Sequence, residues 1–247
     1  MNKLYVIGIG PGDSNHLTGE ARAALETSEL IVGYPLYLGL AADLIRGKRT
    51  FSTPMRGELE RCRAALEAAR SGKTTAVLCS GDAGVYGLAG LVLELAPEYP
   101  GVEITVVPGI TAALSCAALL GSPLTGDFAV ISLSDLLIPW EKIEKRLDAA
   151  AASEFVLCLY NPGSVKRSAY LGHACDIVLK YRKGSTVCGM VCHAGRKGEE
   201  AVITDLAGLR GAKVDMFTTV FIGSGDTVNI HGKMVTKRGY SPGNGNG

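Results

Sequence analysis

Thr75-Ala76-Val77-Leu78 is a short β-branched and apolar run. It leads straight into Cys79-Ser80-Gly81-Asp82-Ala83-Gly84-Val85-Tyr86-Gly87, and a helix-like run from Leu88 to Leu95 follows. A strand that hands over to a helix through a glycine-rich turn is a joint of an α/β sheet, and open sheets of this kind bind ligands at the carboxyl ends of their strands. Asp82 narrows the choice of ligand. A carboxylate in such a turn repels phosphate oxygens, which argues against a phosphate cradle. It suits a ligand that has hydroxyls to anchor, or a positive charge.

The same joint recurs along the first half of the chain. Leu4 to Ile9 is an apolar β run ending in Gly8-Ile9-Gly10-Pro11-Gly12-Asp13, and Thr18 is placed to cap a helix that buries Ala21, Ala24 and Leu25. Leu30-Ile31-Val32 reads as a short buried strand. Glu58 to Arg70 reads as a helix with Leu59, Cys62, Leu66 and Ala69 on its buried face. Glu103 to Val107 reads as a strand that runs into Pro108-Gly109-Ile110-Thr111-Ala112-Ala113 and then a helix over 114–120. This rhythm predicts an α/β fold with a mainly parallel sheet in an N-terminal domain, residues 1–122.

The turn formers from Gly121 to Asp127 mark the junction with a second α/β domain, residues 123–240. Its strands are read at Phe128–Leu133, Phe155–Tyr160, Thr186–Cys192, Ala201–Thr204 and Phe217–Gly223, with helices at Trp140–Ala151 and Ser168–Tyr181. The closer spacing predicts hairpins and a mixed sheet. Residues 241–247 are low-complexity and read as a disordered tail. There is no internal repeat.

Composition excludes several function classes. With 25 Lys and Arg against 24 Asp and Glu, the formal net charge is +1 and no basic block stands out, so no nucleic-acid partner is expected. No apolar run is long enough to span a bilayer, and residues 1–7 lack the features of a signal peptide. The expectation is a cytoplasmic protein with no membrane partner. Seven cysteines, an odd number scattered through strand and helix patterns, read as reduced thiols. Cys188-x3-Cys192-His193 has metal-like composition, but 188, 190 and 192 share one strand face and no second ligand pair appears, so no metal is expected.

Single motifs are weak here. Gly8-x-Gly10-Pro11-Gly12 fails as a dinucleotide fingerprint, because Asp13 stands where the third glycine belongs and Pro11 removes a donor. Ser80-Gly81-Asp82 and the Pro108–Ala113 turn say more together, since both close strands and both carry small residues that let backbone face a flat ligand. Tyr160-Asn161-Pro162-x-Ser164-x-x-Arg167 ends another strand with neutral and cationic donors. His193 to Glu200 is either a mobile charged hairpin loop or a binding loop. Arg56, Arg167, Arg196, Lys197 and Arg238 are candidates to hold a polycarboxylate. There is no G-x-S-x-G, H-E-x-x-H or P-loop motif, and nothing nominates a covalent nucleophile.

Taken in order, Gly8-x-Gly10-Pro11-Gly12-Asp13, Leu17-Thr18, Ser80-Gly81-Asp82-x-x-Val85-Tyr86, Pro108-Gly109-Ile110-Thr111-Ala112 and the late Gly223 strand resemble the tetrapyrrole (corrin/porphyrin) methylase family over residues 3 to about 240. Val32-Gly33-Tyr34-x-x-Tyr37, Ile131-Ser132-Leu133-Ser134-Asp135-x-x-x-Pro139-Trp140, Tyr160–Arg167 and Met234-Val235-Thr236-x-Arg238-Gly239-Tyr240 resemble the branch that methylates C17 of precorrin-3B or cobalt-factor III and contracts the ring. Gly223-Ser224-Gly225-Asp226-Thr227 departs from the family, which more often has Asn and Ser after the glycine.

The resemblance implies a homodimer, a tetrapyrrole polycarboxylate substrate, and S-adenosyl-L-methionine in a trough between two α/β domains. Carried over residue by residue, it implies cofactor contacts from Pro11, Gly81, Asp82, Val85, Tyr86, Thr111, Ala112, Asn161, Ala194, Gly195 and Thr227. Ring contraction needs proton management, for which Asp82, Ser134, Asp135, His193 and Glu199 are the candidates. A methylase acting at another ring position, such as C11, or a non-enzymatic binder of the same ligands would share the cofactor residues.

Overall fold

In the computed structural model, residues 2–164 and 168–240 are described; Arg167 and the tail 241–247 lie outside them. The chain divides into two compact units, Met1–Ala112 and Ala113–Gly247.

The first unit is five parallel strands with helices between them. Its elements are β1 (Lys3–Gly8), α1 (Gly19–Thr27), β2 (Leu30–Val32), α2 (Pro35–Leu40), β3 (Arg49–Phe51), α3 (Glu58–Arg70), β4 (Thr75–Cys79), α4 (Ala89–Leu95) and β5 (Glu103–Val107). The strand order is β3-β2-β4-β1-β5, every neighbouring pair being parallel. Strand β4 is buried at every position, as a central strand covered on both faces must be. One core holds Leu4, Val6, Val77 and the α3 residues Cys62, Ala65, Leu66 and Ala69; a second holds Ile7, Ile31, Leu78 and the α1 residues Ala21, Ala24 and Leu25. Thr18 caps α1 as its position predicts, its hydroxyl accepting from Ala21 N at 3.1 Å.

Helix α3 departs from the expected face. Leu59 is half exposed and Arg61 is buried instead. The Arg61 guanidinium turns inward because polar acceptors wait there: it donates to Thr53 Oγ1 at 2.7 Å and to Pro54 O at 3.0 Å. It thereby pins the turn from Thr53 to Gly57, and polar satisfaction overrides the apolar periodicity.

The second unit begins with α5 (Ala112–Leu120), then β6 (Gly121–Ser122), β7 (Phe128–Ser132), α6 (Trp140–Ala152), β8 (Val156–Tyr160), α7 (Tyr170–Val178), β9 (Val187–Cys192), β10 (Glu200–Asp205), α8 (Leu206–Arg210), β11 (Thr218–Ile222), β12 (Thr227–Ile230) and β13 (Lys233–Thr236). Its main sheet, ordered β10-β9-β11-β8-β7, is mixed: β7 and β8 are parallel, β9 and β10 form a hairpin, and β11 runs antiparallel to both β8 and β9. A small sheet, β12-β13-β6, pairs β13 antiparallel to β12 and parallel to β6. The expected junction after residue 122 falls later than the observed division, because α5 goes with the second unit. Leu120 packs where Gly189 of β9 leaves room; a Cβ there would lie 2.6 Å from Leu120 Cδ1.

Buried Arg182 ties this unit together at one end of the sheet. Its guanidinium donates to Gly223 O and Phe155 O, both at 2.6 Å, and Glu154 accepts from Gly225 N at 3.0 Å. Arg182→Ala strands these carbonyls without a donor. The expected result is a loss of about 2–4 kcal/mol, read as a lower urea midpoint with an unchanged slope.

Candidate functional site

Strands β4, β1 and β5 lie side by side in register, Gly8 opposite Cys79 and Ile7 opposite Val107, so their carboxyl ends come together. Beyond those ends the three glycine turns close on one another. Gly10 N donates to Gly81 O at 3.0 Å and Gly81 N to Gly10 O at 2.8 Å, an antiparallel bridge joining two parallel strands. Both glycines have positive φ, +73° and +68°, which L side chains rarely adopt. Gly8 and Gly109 are required for closeness instead: a Cβ on Gly8 would lie 2.6 Å from Gly109 N, and one on Gly109 equally close to Gly8 C. Thr18 Oγ1 donates to Pro108 O at 3.4 Å, tying the first turn to the third.

Asp82 holds the second and third turns together. Its Oδ1 accepts from Gly84 N at 2.7 Å and Val85 N at 3.0 Å, and its Oδ2 from Gly109 N at 2.9 Å. Partial burial by itself would raise the carboxyl pKa, but the N–H groups of Gly109, Gly84, Val85 and Ala83 outweigh it and the net shift is downward. Asp82 is therefore held as a carboxylate by the backbone around it. This makes it a poor proton carrier and a strong turn anchor. Next to it Val85 and Tyr86 stand exposed, Tyr86 with φ +54°, and offer apolar surface at the strand end. Gly81, Asp82, Val85, Tyr86, Thr111, Ala112 and Pro11 all belong to these three turns. Arg56, with φ +71°, sits on the Arg61-pinned turn beyond the end of β3, at the same end of the sheet.

In the second unit the carboxyl ends of β7, β8 and β9 lie at one end of the mixed sheet, with the start of β11. That end gathers Ser134, Asp135, Asn161, His193, Ala194, Gly195, Arg196, Lys197 and Glu199. Asn161 and His193 both have positive φ, +53° and +52°, the kind of backbone strain that gathers at ligand-binding ends. Asn161 Nδ2 donates to Ser132 Oγ at 2.9 Å, and Asp135 accepts from Tyr170 Oη at 2.7 Å. Glu199 accepts from Gly195 N at 2.6 Å and so closes its own hairpin loop. His193 stacks on Phe217 with ring centres 5.4 Å apart, and its Nε2 lies 3.9 Å from Asp215 Oδ2. The Arg196 guanidinium also lies over the Phe217 ring, 5.6 Å from its centroid. Asp215 and Phe217 carried no motif in the sequence; only the antiparallel return of β11 brings them to His193.

Thr227 and Arg238 are not brought to this end. Strand β11 runs opposite to β8, so Gly223 and the turn after it lie at the far end, about 16 Å from Asn161 along the strands. Thr227 is buried there, its hydroxyl shared between Ser224 N and Thr236 Oγ1 at 2.9 and 2.8 Å. Arg238 follows β13 one residue after Lys237 N donates to Asp226 O at 3.1 Å, and it stacks on Tyr240 instead. Among the described residues no group of three or more His, Cys, Asp or Glu is arranged to hold a metal ion, and no helix is long and apolar enough to cross a membrane. Cys188 is fully buried with its thiol pushed up by burial.

The Asp82 clamp is testable through pH. Its folded pKa lies below the unfolded value, so its contribution is complete above about pH 4 and is lost as pH falls through the folded pKa. Asp82→Ala is expected to cost about 1–3 kcal/mol at pH 7. In urea titrations that gap between variant and parent narrows as the pH drops below about 4. Gly109→Ala, which drives a methyl into Gly8 and Gly81 backbone, is expected to be at least as damaging to folding.

Comparison with known proteins agrees with this geometry. The sequence model of the family described as Tetrapyrrole (Corrin/Porphyrin) Methylases matches residues 3–210. A "Probable cobalt-factor III C(17)-methyltransferase" of Salmonella typhimurium is 46% identical over 239 residues, covering 96% of this chain and 99% of its own. A "Cobalt-factor III methyltransferase" of Priestia megaterium is also 46% identical over 96% of this chain, which spans only 45% of that longer protein. Among solved structures, that of the methyltransferase CobJ superposes with a TM-score of 0.88 at 35% identity, over 95% of this chain and 99% of that one. A parallel sheet closed by three interlocked glycine turns, a mixed sheet after it, and matches of this extent together place the chain in the tetrapyrrole methylase family.

Proposed function

We propose that this chain is an S-adenosyl-L-methionine-dependent C-methyltransferase acting at C17 of precorrin-3B or cobalt-factor III, with contraction of the macrocycle. The observation that carries the reading is the match over 96% of this chain and 99% of a relative named for that reaction; it is supported by three glycine turns of the first unit that hydrogen-bond to one another.

The turns of the first unit suit such a donor. A sulfonium nucleoside brings hydroxyls and a positive charge and no phosphate, and the turns present backbone, a fixed carboxylate and the exposed faces of Val85 and Tyr86. When bound, the donor supplies an already activated methyl group: the new C–CH3 bond forms as the S–CH3 bond breaks and S-adenosylhomocysteine leaves. The chain's share is alignment and exclusion of water, which can be worth about 7–11 kcal/mol in favourable cases. No side-chain nucleophile is needed. Pro11, Gly81, Asp82, Val85, Tyr86, Thr111 and Ala112 are the proposed cofactor contacts of the first unit, and Asn161, Ala194 and Gly195 those of the second. Arg56, Arg196 and Lys197 are the proposed partners of the substrate carboxylates.

Of the candidate proton carriers, Asp82 and Glu199 have carboxylate oxygens committed to backbone N–H groups, and Asp135 holds Tyr170. His193 is the one we assign. Its imidazole is partly exposed, is stacked on Phe217, and has Nε2 3.9 Å from Asp215 Oδ2. A homodimer completes the proposal, and light scattering of the purified protein reads it directly.

Incubation with methyl-labelled donor and either precorrin-3B or cobalt-factor III is expected to place label at C17 and yield the contracted ring. Label at another ring position sinks the C17 assignment and favours a sister methylase. Tight binding with no transfer to either substrate sinks the enzyme. His193→Gln is expected to slow product formation at least tenfold while calorimetric affinity for S-adenosylhomocysteine stays at the parent value.

A further inference from the structure

The loop after β7, Leu133-Ser134-Asp135-Leu136-Leu137-Ile138-Pro139, is anchored on both sides and still holds two leucines in water. On one side Leu133 is fully buried and Asp135 accepts from Tyr170 Oη at 2.7 Å. On the other, Ile138 and Trp140 pack against the core of the unit, and Trp140 meets Tyr170 in a tilted ring contact with centres 4.3 Å apart. Between these anchors Leu136 is 60% exposed and Leu137 95%. The loop cannot fold its tip back without breaking one anchor or the other. Leaving a leucine in water forgoes about 1.5–3 kcal/mol of burial, so two adjacent ones on a braced loop form a surface with something to gain from a ligand.

The surroundings specify the ligand. The loop leaves the same end of the mixed sheet that carries Asn161 and His193. Met216, 42% exposed, adds apolar surface at that end just before β11, between the loop and the β9–β10 hairpin. The hairpin carries Arg196 and Lys197. From β7 across β8 and β11 to β9 is three strand spacings, about 14 Å. Apolar surface on one side and cations on the other, separated by about the width of a macrocycle, fit a flat ring with apolar faces and a rim of carboxylates.

We propose that Leu136 and Leu137 cover the apolar face of the tetrapyrrole while Arg196 and Lys197 take its rim carboxylates, so that this loop sets macrocycle affinity. The inference rests on the tetrapyrrole reading above and adds to it the residues that grip the ring. A second copy of the chain is the competing occupant. A polycarboxylate uses both the leucines and the cations, whereas an apolar contact between copies uses only the leucines.

The test is the double variant Leu136→Ser/Leu137→Ser beside Leu137→Met, each titrated with cobalt-factor III by visible absorbance with no methyl donor present. The serine variant is expected to bind the macrocycle about tenfold more weakly, Leu137→Met to bind like the parent, and both to keep the parent's affinity for S-adenosylhomocysteine. Equal macrocycle affinity in the serine variant and the parent overturns the inference. So does a weaker affinity that appears only together with loss of the parent's oligomeric state by light scattering, which assigns the loop to an interface between copies. If the parent binds cobalt-factor III but transfers no methyl, the proposed activity fails while the loop assignment is still decided by the titration; if the parent binds no macrocycle, both fall.

Discussion

Three backbone N–H groups converge on one carboxylate, and the turns at the carboxyl ends of the first unit's strands depend on that convergence. Asp82 takes Gly84 and Val85 on one oxygen and Gly109 on the other, which fastens the turn after β4 to the turn after β5. The bridge between Gly10 and Gly81 fastens it equally to the turn after β1. Each bond is short enough only because Gly8 and Gly109 have no side chain, so the glycines and the acid are one device. Had the acid been free to titrate, it would serve chemistry; held by the backbone, it serves shape. That matches a reaction in which the methyl donor is already activated and placement is what the protein contributes.

The second unit handles its polar groups in the same way. Arg182 and Glu154 hold the Gly223 turn at one end of the mixed sheet, and Arg61 holds the Thr53–Gly57 turn in the first unit. In each case a charged side chain replaces a missing backbone partner inside an irregular turn, and for the buried Arg61 and Arg182 these backbone acceptors make burial tolerable. These residues look like surface charges in the sequence. The burial of Arg61 and Arg182, and the bond that exposed Glu154 takes from Gly225 N, show that they set the geometry of the loops next to the strand ends.

Positive φ marks the opposite behaviour. Tyr86, Asn161 and His193 each take a conformation that costs a non-glycine residue free energy; Asn161 and His193 are the first residues beyond β8 and β9, and Tyr86 lies in the turn between β4 and α4. The exposed leucines of the β7 loop belong to the same pattern, since solvent exposure there is enforced by anchors on both sides.

The alternation of apolar runs and glycine turns was enough to specify an α/β fold, a parallel first sheet and a mixed second one, because periodicity and turn chemistry are local properties of the chain. The glycine turns, Asp82 and the cap at Thr18 were legible for the same reason. What the tertiary structure decided is which residues meet. Leu59 lost its place in the core to Arg61 because acceptors at Thr53 and Pro54 were in reach. The helix after Pro108 went to the second unit because Leu120 fits against Gly189. Thr227 and Arg238 share motifs with a ligand site yet sit at the far end of the sheet, because β11 runs antiparallel and strand direction is set by pairing, not by composition. His193, Asp215 and Phe217 meet for that same reason. Local spacing determines elements and turns; only the direction and order of strand pairing determine which turns share an end.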